Sequence, residues 1–202
     1  MVKVTLKDGS VREYAPGTTL FEAAKALSQK LGKEVCAALV DGELADLRTP
    51  LEKDCADEFV TFEHPAGKKT FWHTCSHILA QAVKRLYPQA LLTIGPAIES
   101  GFYYDIDVES PFTPEDLEKL EAEMVKIVKV GEPIERFTLP RDEAIALAKK
   151  MGEPYKVQLI EELPEGEEIS FYKQGDFTDL CAGPHLMSTG AVKAVKLIQV
   201  TG

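Results

Sequence analysis

Two pairs of side chains capable of acid–base chemistry share one spacing in distant parts of the sequence. His73 and His77 are separated by three residues within FWHTCSHILAQAVKRLYP (71–88), and Cys181 and His185 have the same separation within DLCAGPH. Imidazole and thiol groups take up protons, donate hydrogen bonds and bind soft metal ions. We therefore predict that tertiary folding assembles one site from the two pairs.

The first pair falls in a predicted helix and the second in a predicted loop. At about 100° per residue, His77 lies about 40° from His73, opposite the main apolar stripe of the helix. Taken alone, this pair is most simply interpreted as two ordinary surface histidines. Gly183 and Pro184 make the second pair part of a turn. Its simplest interpretation is a small buried thiol followed by an ordinary loop histidine.

Residues 1–62 have the pattern of a small β-grasp, ubiquitin-like module. VKVTL and VREY flank an Asp-Gly turn, which predicts a hairpin. A helix follows, with Thr18 or Thr19 as its N-cap and Gly32 at its end. EVCAALV, a second Asp-Gly turn and EFVTF predict the remaining strands. The module contains no candidate catalytic group, so its removal is expected to leave the chemistry largely intact.

Residues 63–202 are predicted to form a larger α+β domain. HPAGKK (64–69) is interpreted as a linker, and helices are predicted at 71–87, 114–130 and about 140–151. LLTIGPAIESGFYYDID contains two strand-like runs. EISFYKQG is predicted as a strand, DFTDLCAGPHLMSTG as a loop and AVKLIQV as a final strand.

Composition restricts the class of protein. The 202 residues carry a net charge of −10, which gives no overall basic surface for nucleic acid, so any RNA contact needs a local basic patch or delivery of the RNA by another domain. There is no apolar run long enough for a membrane span and no signal-peptide pattern at the N-terminus. The four cysteines are scattered, which predicts reduced thiols in a cytoplasmic protein.

The order of motifs resembles the N-terminal region of bacterial threonyl-tRNA synthetases. HTCSHILAQAVKRLYP, IGPAIESGFYYDID, PYKVQLI and DLCAGPH resemble the editing domain of that family, and residues 1–62 resemble the TGS module before it. The related alanyl-tRNA synthetase editing domain shares both pairs. The resemblance implies a fragment of an enzyme that ligates threonine to tRNA-Thr with ATP. We find no candidate ATP-binding motif in residues 1–202, and the parent enzyme is expected to dimerise through other domains.

The resemblance also implies an activity and further site residues. The fragment is expected to hydrolyse mischarged seryl-tRNA-Thr at the 3′ terminal adenosine. Lys156 in PYK is expected to stabilise negative charge, and Asp179 in TDLC to bind the substrate amino group or orient a histidine. No cofactor is predicted to be required. Two alternatives stay open: a zinc-dependent hydrolase with His73, His77, Cys181 and His185 as ligands, and a non-catalytic RNA-binding or regulatory module.

Overall fold

A computed structural model describes residues 1–201, which form two compact units. The first contains Met1–Trp72 together with Gly183–Met187. The second contains His73–Ala182 and the residues from Ser188 onwards. The predicted boundary after residue 62 lies at the end of a strand, whereas the two units divide inside a helix. None of the helices in residues 1–201 combines the length and apolar character that crossing a bilayer requires.

The first unit is built on a five-stranded sheet in the order β2-β1-β5-β3-β4. Its strands are β1 (Val2–Leu6), β2 (Val11–Tyr14), β3 (Val35–Val40), β4 (Glu43–Ala45) and β5 (Cys55–Thr61). β1 and β2 form the predicted antiparallel hairpin, and β1 pairs in parallel with β5. This is the predicted β-grasp arrangement, with the apolar face of the sheet packed against a helix.

The helix of the β-grasp unit begins where the sequence predicts and ends earlier. Thr19 is the N-cap of α1 (Leu20–Leu27), and its side chain and that of Glu22 form a capping box. Ser28 ends α1 and caps a second helix, α2 (Gln29–Glu34). Gly32 therefore lies inside α2, and the prediction that it ends the helix is wrong. The serine hydroxyl, which accepts from two following backbone amides, makes the break.

The predicted linker is the beginning of a long helix. α3 runs from Pro65 to Leu86, so most of HPAGKK is helical. The backbone amide of Ala66 donates to His64 Nδ1, which satisfies one amide at the start of the helix. Gly67 permits close approach to β5, because a Cβ there would lie 2.0 Å from the carbonyl oxygen of Thr61. Proline and glycine here start a helix and let it pack, rather than forming a linker.

The second unit combines the rest of α3 with three further helices. α4 (Pro114–Val130) has the predicted cap at Thr113 and ends at the left-handed Gly131. α5 (Arg141–Met151) ends at Gly152, as predicted. PYKVQLIEE, for which the sequence pattern predicts no helix or strand, forms α6 (Pro154–Glu162). α5 and α6 pack on β-strands around a core of Ala144, Ala148, Ile160, Ile169 and Phe171.

The strands of the second unit are short, and they position the site residues. β10 (Ile134–Thr138), β11 (Ser170–Gln174) and β12 (Phe177–Leu180) form an antiparallel sheet in that order. Two small ribbons pair β6 (Leu91–Leu92) with β9 (Ile106–Asp107) and β7 (Ala97–Ile98) with β8 (Gly101–Phe102). The prediction of a loop from Asp176 is wrong at its start, because Phe177–Leu180 pairs with β11. The predicted final strand, AVKLIQV, has no regular structure.

Candidate functional site

The histidine pair lies on α3 at a partly covered position. His77 is 3% exposed and His73 is half-buried, so the interpretation as two surface histidines is wrong. Their ring centroids are 5.3 Å apart, and the rings are nearly perpendicular. The ring of Phe177 on β12 contacts the His77 ring edge to face. The helical periodicity gave the correct common face, but it could not show that the second unit covers it.

Cys181 immediately follows β12 and lies next to the first histidine. Its Sγ atom is 3.3 Å from Nε2 of His73. The backbone amide of Cys181 donates to the carbonyl of Ser170, and the hydroxyl of Ser170 donates to the carbonyl of Cys181. The sheet therefore fixes the thiol beside the imidazole, where the two groups can share a proton.

Asp179 and Lys156 form a buried ion pair beside His77. Lys156 Nζ is 2.9 Å from Asp179 Oδ1, and the two side chains are each about 3% exposed. The hydroxyl of Tyr104 donates to Asp179 Oδ2 at 2.7 Å. Nε2 of His77 lies 3.8 Å from the same oxygen, which is a charge contact longer than a hydrogen bond. Asp179 is therefore placed to influence a histidine, one of its two expected roles.

The surroundings of Lys156 differ from those of a free charge-stabilising group. Besides Asp179, its ammonium donates to the carbonyl of Thr93 at 2.7 Å and to the hydroxyl of Tyr104 at 3.3 Å. An ammonium has three donors, and these three partners engage all of them. In this arrangement, a direct contact between Lys156 and a reacting oxygen requires one of these bonds to exchange.

Tyr104 lies in the same buried polar group, where it bonds both Asp179 and Lys156. In sequence, paired tyrosines in a strand are usually packing residues, and this is the simplest interpretation of Tyr103 and Tyr104. Tyr103 is 42% exposed, whereas the Tyr104 ring packs beside Gly95, where an added Cβ would lie 2.2 Å from the ring. The strand alternation in SGFYYDID was the available signal, because it places these two neighbours on opposite faces.

Contacts within the second unit hold α6 and α3 in place around this ion pair. Glu153, the residue before α6, pairs with Lys84 of α3 at 2.7 Å and accepts from the backbone amide of Leu92 at 2.9 Å. The hydroxyl of Ser76 donates to the carbonyl of Gly95 at 2.6 Å. These bonds connect α3 to α6 and to the segment that carries Tyr104.

Burial controls the protonation of the groups nearest Asp179. It lowers the pKa of His77 to about 3, although the carboxylate of Asp179 opposes the shift. The pKa of Tyr104 is raised far above its usual value, first by burial and then by the charge of Asp179. At neutral pH, His77 is therefore a neutral imidazole that can accept a hydrogen bond, and Tyr104 is a hydrogen-bond donor.

His185 belongs to the first unit and is held there by its backbone. Arg48 donates to the carbonyl oxygens of His185 and Leu186 at 3.1 and 2.7 Å. The backbone amide of His185 donates to Asp46, which also pairs with Arg48 at 2.8 Å. Removal of residues 1–62 would delete these contacts, and the expectation that the chemistry survives this removal stays a prediction. No local pattern in the sequence indicates that Arg48 holds a loop so far along the chain.

His73, His77, Cys181 and His185 each offer one ligand atom, and these four atoms lie within 4.8 Å of one another. Three imidazoles and a thiol are a donor set that suits zinc. In a tetrahedral zinc site, neighbouring ligand atoms are roughly 3.3–3.8 Å apart, as follows from bond lengths of about 2.0–2.3 Å. The residue types therefore fit zinc, and the widest separations must shorten for all four atoms to bind it. All four cysteines of the described chain are free thiols.

Comparison with known proteins gives the same order of modules. Residues 2–61 match the TGS domain family. Residues 169–202 match the family described as the threonyl and alanyl tRNA synthetase second additional domain. Over 202 residues, the chain is 61% identical to a threonine–tRNA ligase of Acetivibrio thermocellus and 59% identical to that of Clostridium botulinum strain Kyoto. A ligase of Caldanaerobacter subterraneus is 57% identical over 199 residues.

The chain corresponds to the N-terminal part of threonyl-tRNA synthetases. It spans 32% of the length of the Acetivibrio thermocellus relative and 31% of that from Caldanaerobacter. The match to the second additional domain covers DLCAGPH, which carries Asp179, Cys181 and His185. The histidine pair on α3 lies outside this match, but the alignments with the threonine–tRNA ligases of Acetivibrio thermocellus and Clostridium botulinum span it.

Proposed function

We propose that this chain hydrolyses seryl-tRNA-Thr, the product of mischarging by a threonyl-tRNA synthetase. Threonine and serine differ by one methyl group, which is worth only about 1–3 kcal/mol in a binding pocket. A second site that admits the seryl ester and excludes the threonyl ester completes a double sieve. The whole-chain similarity to threonine–tRNA ligases and the match to the second additional domain support this assignment.

The observation that carries the proposal is the meeting of the histidines and the thiol with a buried ion pair. Ester hydrolysis needs a positioned water, a proton acceptor and stabilisation of the developing oxyanion. In our proposal, His73 and His77 position the water, and the half-buried His73 accepts its proton. Asp179, 3.8 Å from Nε2 of His77, keeps the neutral His77 ring oriented towards that water. Cys181 and His185 line the site and donate hydrogen bonds to the ester.

Lys156 and Tyr104 are assigned positioning roles. Both donate to Asp179, so they orient its carboxylate towards His77. The parent activity, ligation of threonine to tRNA-Thr with ATP, and any dimer are proposed for the longer protein. tRNA-Thr is the proposed partner of this chain.

We further propose that hydrolysis needs no metal ion. Bound zinc would be held by His73, His77, Cys181 and His185, and would supply Lewis-acid chemistry only where a coordination position stays open. Four protein ligands close the shell, so a metal bound by all of them would be structural. Aminoacyl esters are activated already, and a positioned water with an imidazole base is sufficient. The competing proposal of a zinc-dependent hydrolase is favoured by the same group of four ligands.

The decisive assay follows loss of the ester from separately prepared seryl-tRNA-Thr and threonyl-tRNA-Thr. We expect faster hydrolysis of the seryl ester, and at least about a hundredfold loss in His73→Ala, the magnitude typical of a general base. His64→Asn is the matched control, because His64 lies at the start of α3 and asparagine can also cap a helix. Equal hydrolysis of both esters contradicts the sieve, and no hydrolysis above the spontaneous rate favours a non-catalytic RNA-binding module.

The role of a metal is tested by chelation. Protein stripped with a strong chelator, with its metal content and fold checked, is expected to retain seryl-tRNA-Thr hydrolysis. If activity disappears and returns only with stoichiometric zinc, the metal-free mechanism is wrong and the zinc hydrolase is correct.

A further inference from the structure

A group of aromatic rings lies in the first unit, at the junction between β5 and α3. Phe62, directly after β5, contacts Phe71 with ring centroids 5.0 Å apart and Trp72 with centroids 6.3 Å apart, both edge to face. Phe62 is nevertheless 38% exposed, and Phe71 and Trp72 are only half-buried. The rings are thus held in place by one another while part of their surface stays accessible.

Positive charge accompanies these rings. The ammonium of Lys68 lies 5.3 Å from the centroid of the Phe62 ring and 5.8 Å from that of Trp72. Lys69 is exposed, and the first turn of α3 has no acidic residue. Glu63 is the nearest acidic residue in the sequence. In a chain with a net charge of −10, this is the kind of local basic patch that contact with RNA requires.

We propose that Phe62, Lys68, Lys69 and Trp72, the aromatic–lysine patch, bind the single-stranded 3′ end of tRNA. The inference rests on the proposed function, because the RNA it names is the substrate of that reaction. Single-stranded RNA presents bases that stack on aromatic rings and phosphates that attract lysines, and the patch offers both partners. An acidic peptide would match the lysines but would leave the exposed face of Phe62 without a stacking partner.

The chain contains a single tryptophan, so fluorescence can test the patch directly. The probe is an uncharged single-stranded ribo-oligonucleotide ending in CCA, with uncharged tRNA-Thr as a second ligand. We expect saturable quenching of Trp72 emission by both. Phe62→Leu keeps an apolar side chain but removes the ring, and we expect it to weaken binding at least about fivefold, the lower end of the loss of one base stack.

The lysines are tested by salt dependence. Each phosphate contact contributes a slope of about 0.7 to the plot of log affinity against log salt for a single strand. We expect Lys68→Gln and Lys69→Gln each to lower the slope by about that amount. Lys53→Gln is the matched control, because Lys53 precedes the start of β5 while Phe62 follows its end, and the seven residues of β5 span roughly 20 Å.

Three results would overturn the assignment: no binding, RNA binding by anisotropy without any change in Trp72 emission, or equal effects of Lys53→Gln and the patch variants. The RNA carries no ester, so the measurement is independent of hydrolysis. If the editing proposal fails, Trp72 quenching can still be observed. If the patch proposal fails, seryl-tRNA hydrolysis at saturating substrate can still proceed.

Discussion

Two aspartates in different units of this chain are almost equally buried, yet their surroundings are opposite. Asp179 is 2% exposed and Asp57 is 3% exposed. Asp179 accepts hydrogen bonds from Lys156 and Tyr104. Neither carboxylate oxygen of Asp57 has a hydrogen-bond partner within residues 1–201. Asp57 lies on β5 between Leu6 of β1 and Val40 of β3.

Asp179 is therefore a compensated buried carboxylate, whereas Asp57 is an uncompensated one. Burial, and to a lesser degree the charge of Asp41, raises the pKa of Asp57 to about 7. In the second unit, an ammonium and a hydroxyl compensate the carboxylate and aim it at His77. Two carboxyl groups of nearly equal burial therefore differ in whether neighbouring groups compensate their charge.

The largest expected effect comes from breaking the Asp179 pair. Lys156→Met leaves a carboxylate buried without its cation, and we expect the free energy of unfolding to fall by about 3–5 kcal/mol. Urea unfolding at neutral pH measures the loss. The double variant Lys156→Met/Asp179→Asn should recover most of the stability, because no unpaired charge remains, but not the seryl-tRNA hydrolysis. A double variant as unstable as the single one would show that the two residues do not compensate each other.

At Asp57, in contrast, we expect a substitution to raise the free energy of unfolding at neutral and higher pH. Its pKa of about 7 in the folded chain exceeds the ordinary 3.8, so folding favours the protonated form. The stability that protonation supports is complete below about pH 4 and is lost as the pH rises to about 7. The free energy of unfolding of Asp57→Asn, relative to that of the natural chain, should therefore rise by roughly 2–4 kcal/mol between pH 4 and pH 8. Urea midpoints of both proteins across this range measure the gain, and a constant difference contradicts it.

A smaller effect is expected from the hydroxyl that supports Asp179. Tyr104→Phe keeps the ring packed beside Gly95 but removes the donor to the carboxylate. A hydrogen bond to a charged group is worth about 1.5–3 kcal/mol, and the free energy of unfolding should fall by that amount. Tyr103→Phe is the control, and as an exposed substitution it should change stability by no more than about 0.5 kcal/mol. Equal effects of the two substitutions would show that the hydrogen bond from Tyr104 to Asp179 does not stabilise the fold.

The smallest prediction concerns Asp41, the acidic neighbour of Asp57. Asn at this position tolerates the observed φ of 51°, and its side-chain oxygen can still accept from the amide of Ala56. Asp41→Asn should lower the pH at which half of this pH-dependent stability is lost. At neutral pH the free energy of unfolding should rise by less than about 1 kcal/mol, the scale of exposed charge interactions. In the Asp57→Asn background the gain should vanish. A gain that persists there would point to a cause other than Asp57.

Local signals were sufficient for much of the fold. The capping residues Thr19 and Thr113 and the left-handed Gly131 and Gly152 were identified correctly, because caps and helix ends depend on interactions within a few residues. The β-grasp pattern followed from strand alternation and Asp-Gly turns. The failures, Gly32 and HPAGKK, came from treating glycine and proline as breaks where a serine cap or close packing on β5 decided the outcome.

For the site, the sequence by itself determined which groups are available and that His73 and His77 share a helix face, because spacing of four residues fixes that geometry. Only the tertiary structure decided that Cys181 lies 3.3 Å from His73 and that all donors of Lys156 are engaged. It also decided that Tyr104 joins Asp179 and that Arg48 holds the backbone of His185. These contacts join residues far apart in the chain, and their energies depend on burial, which no local pattern encodes.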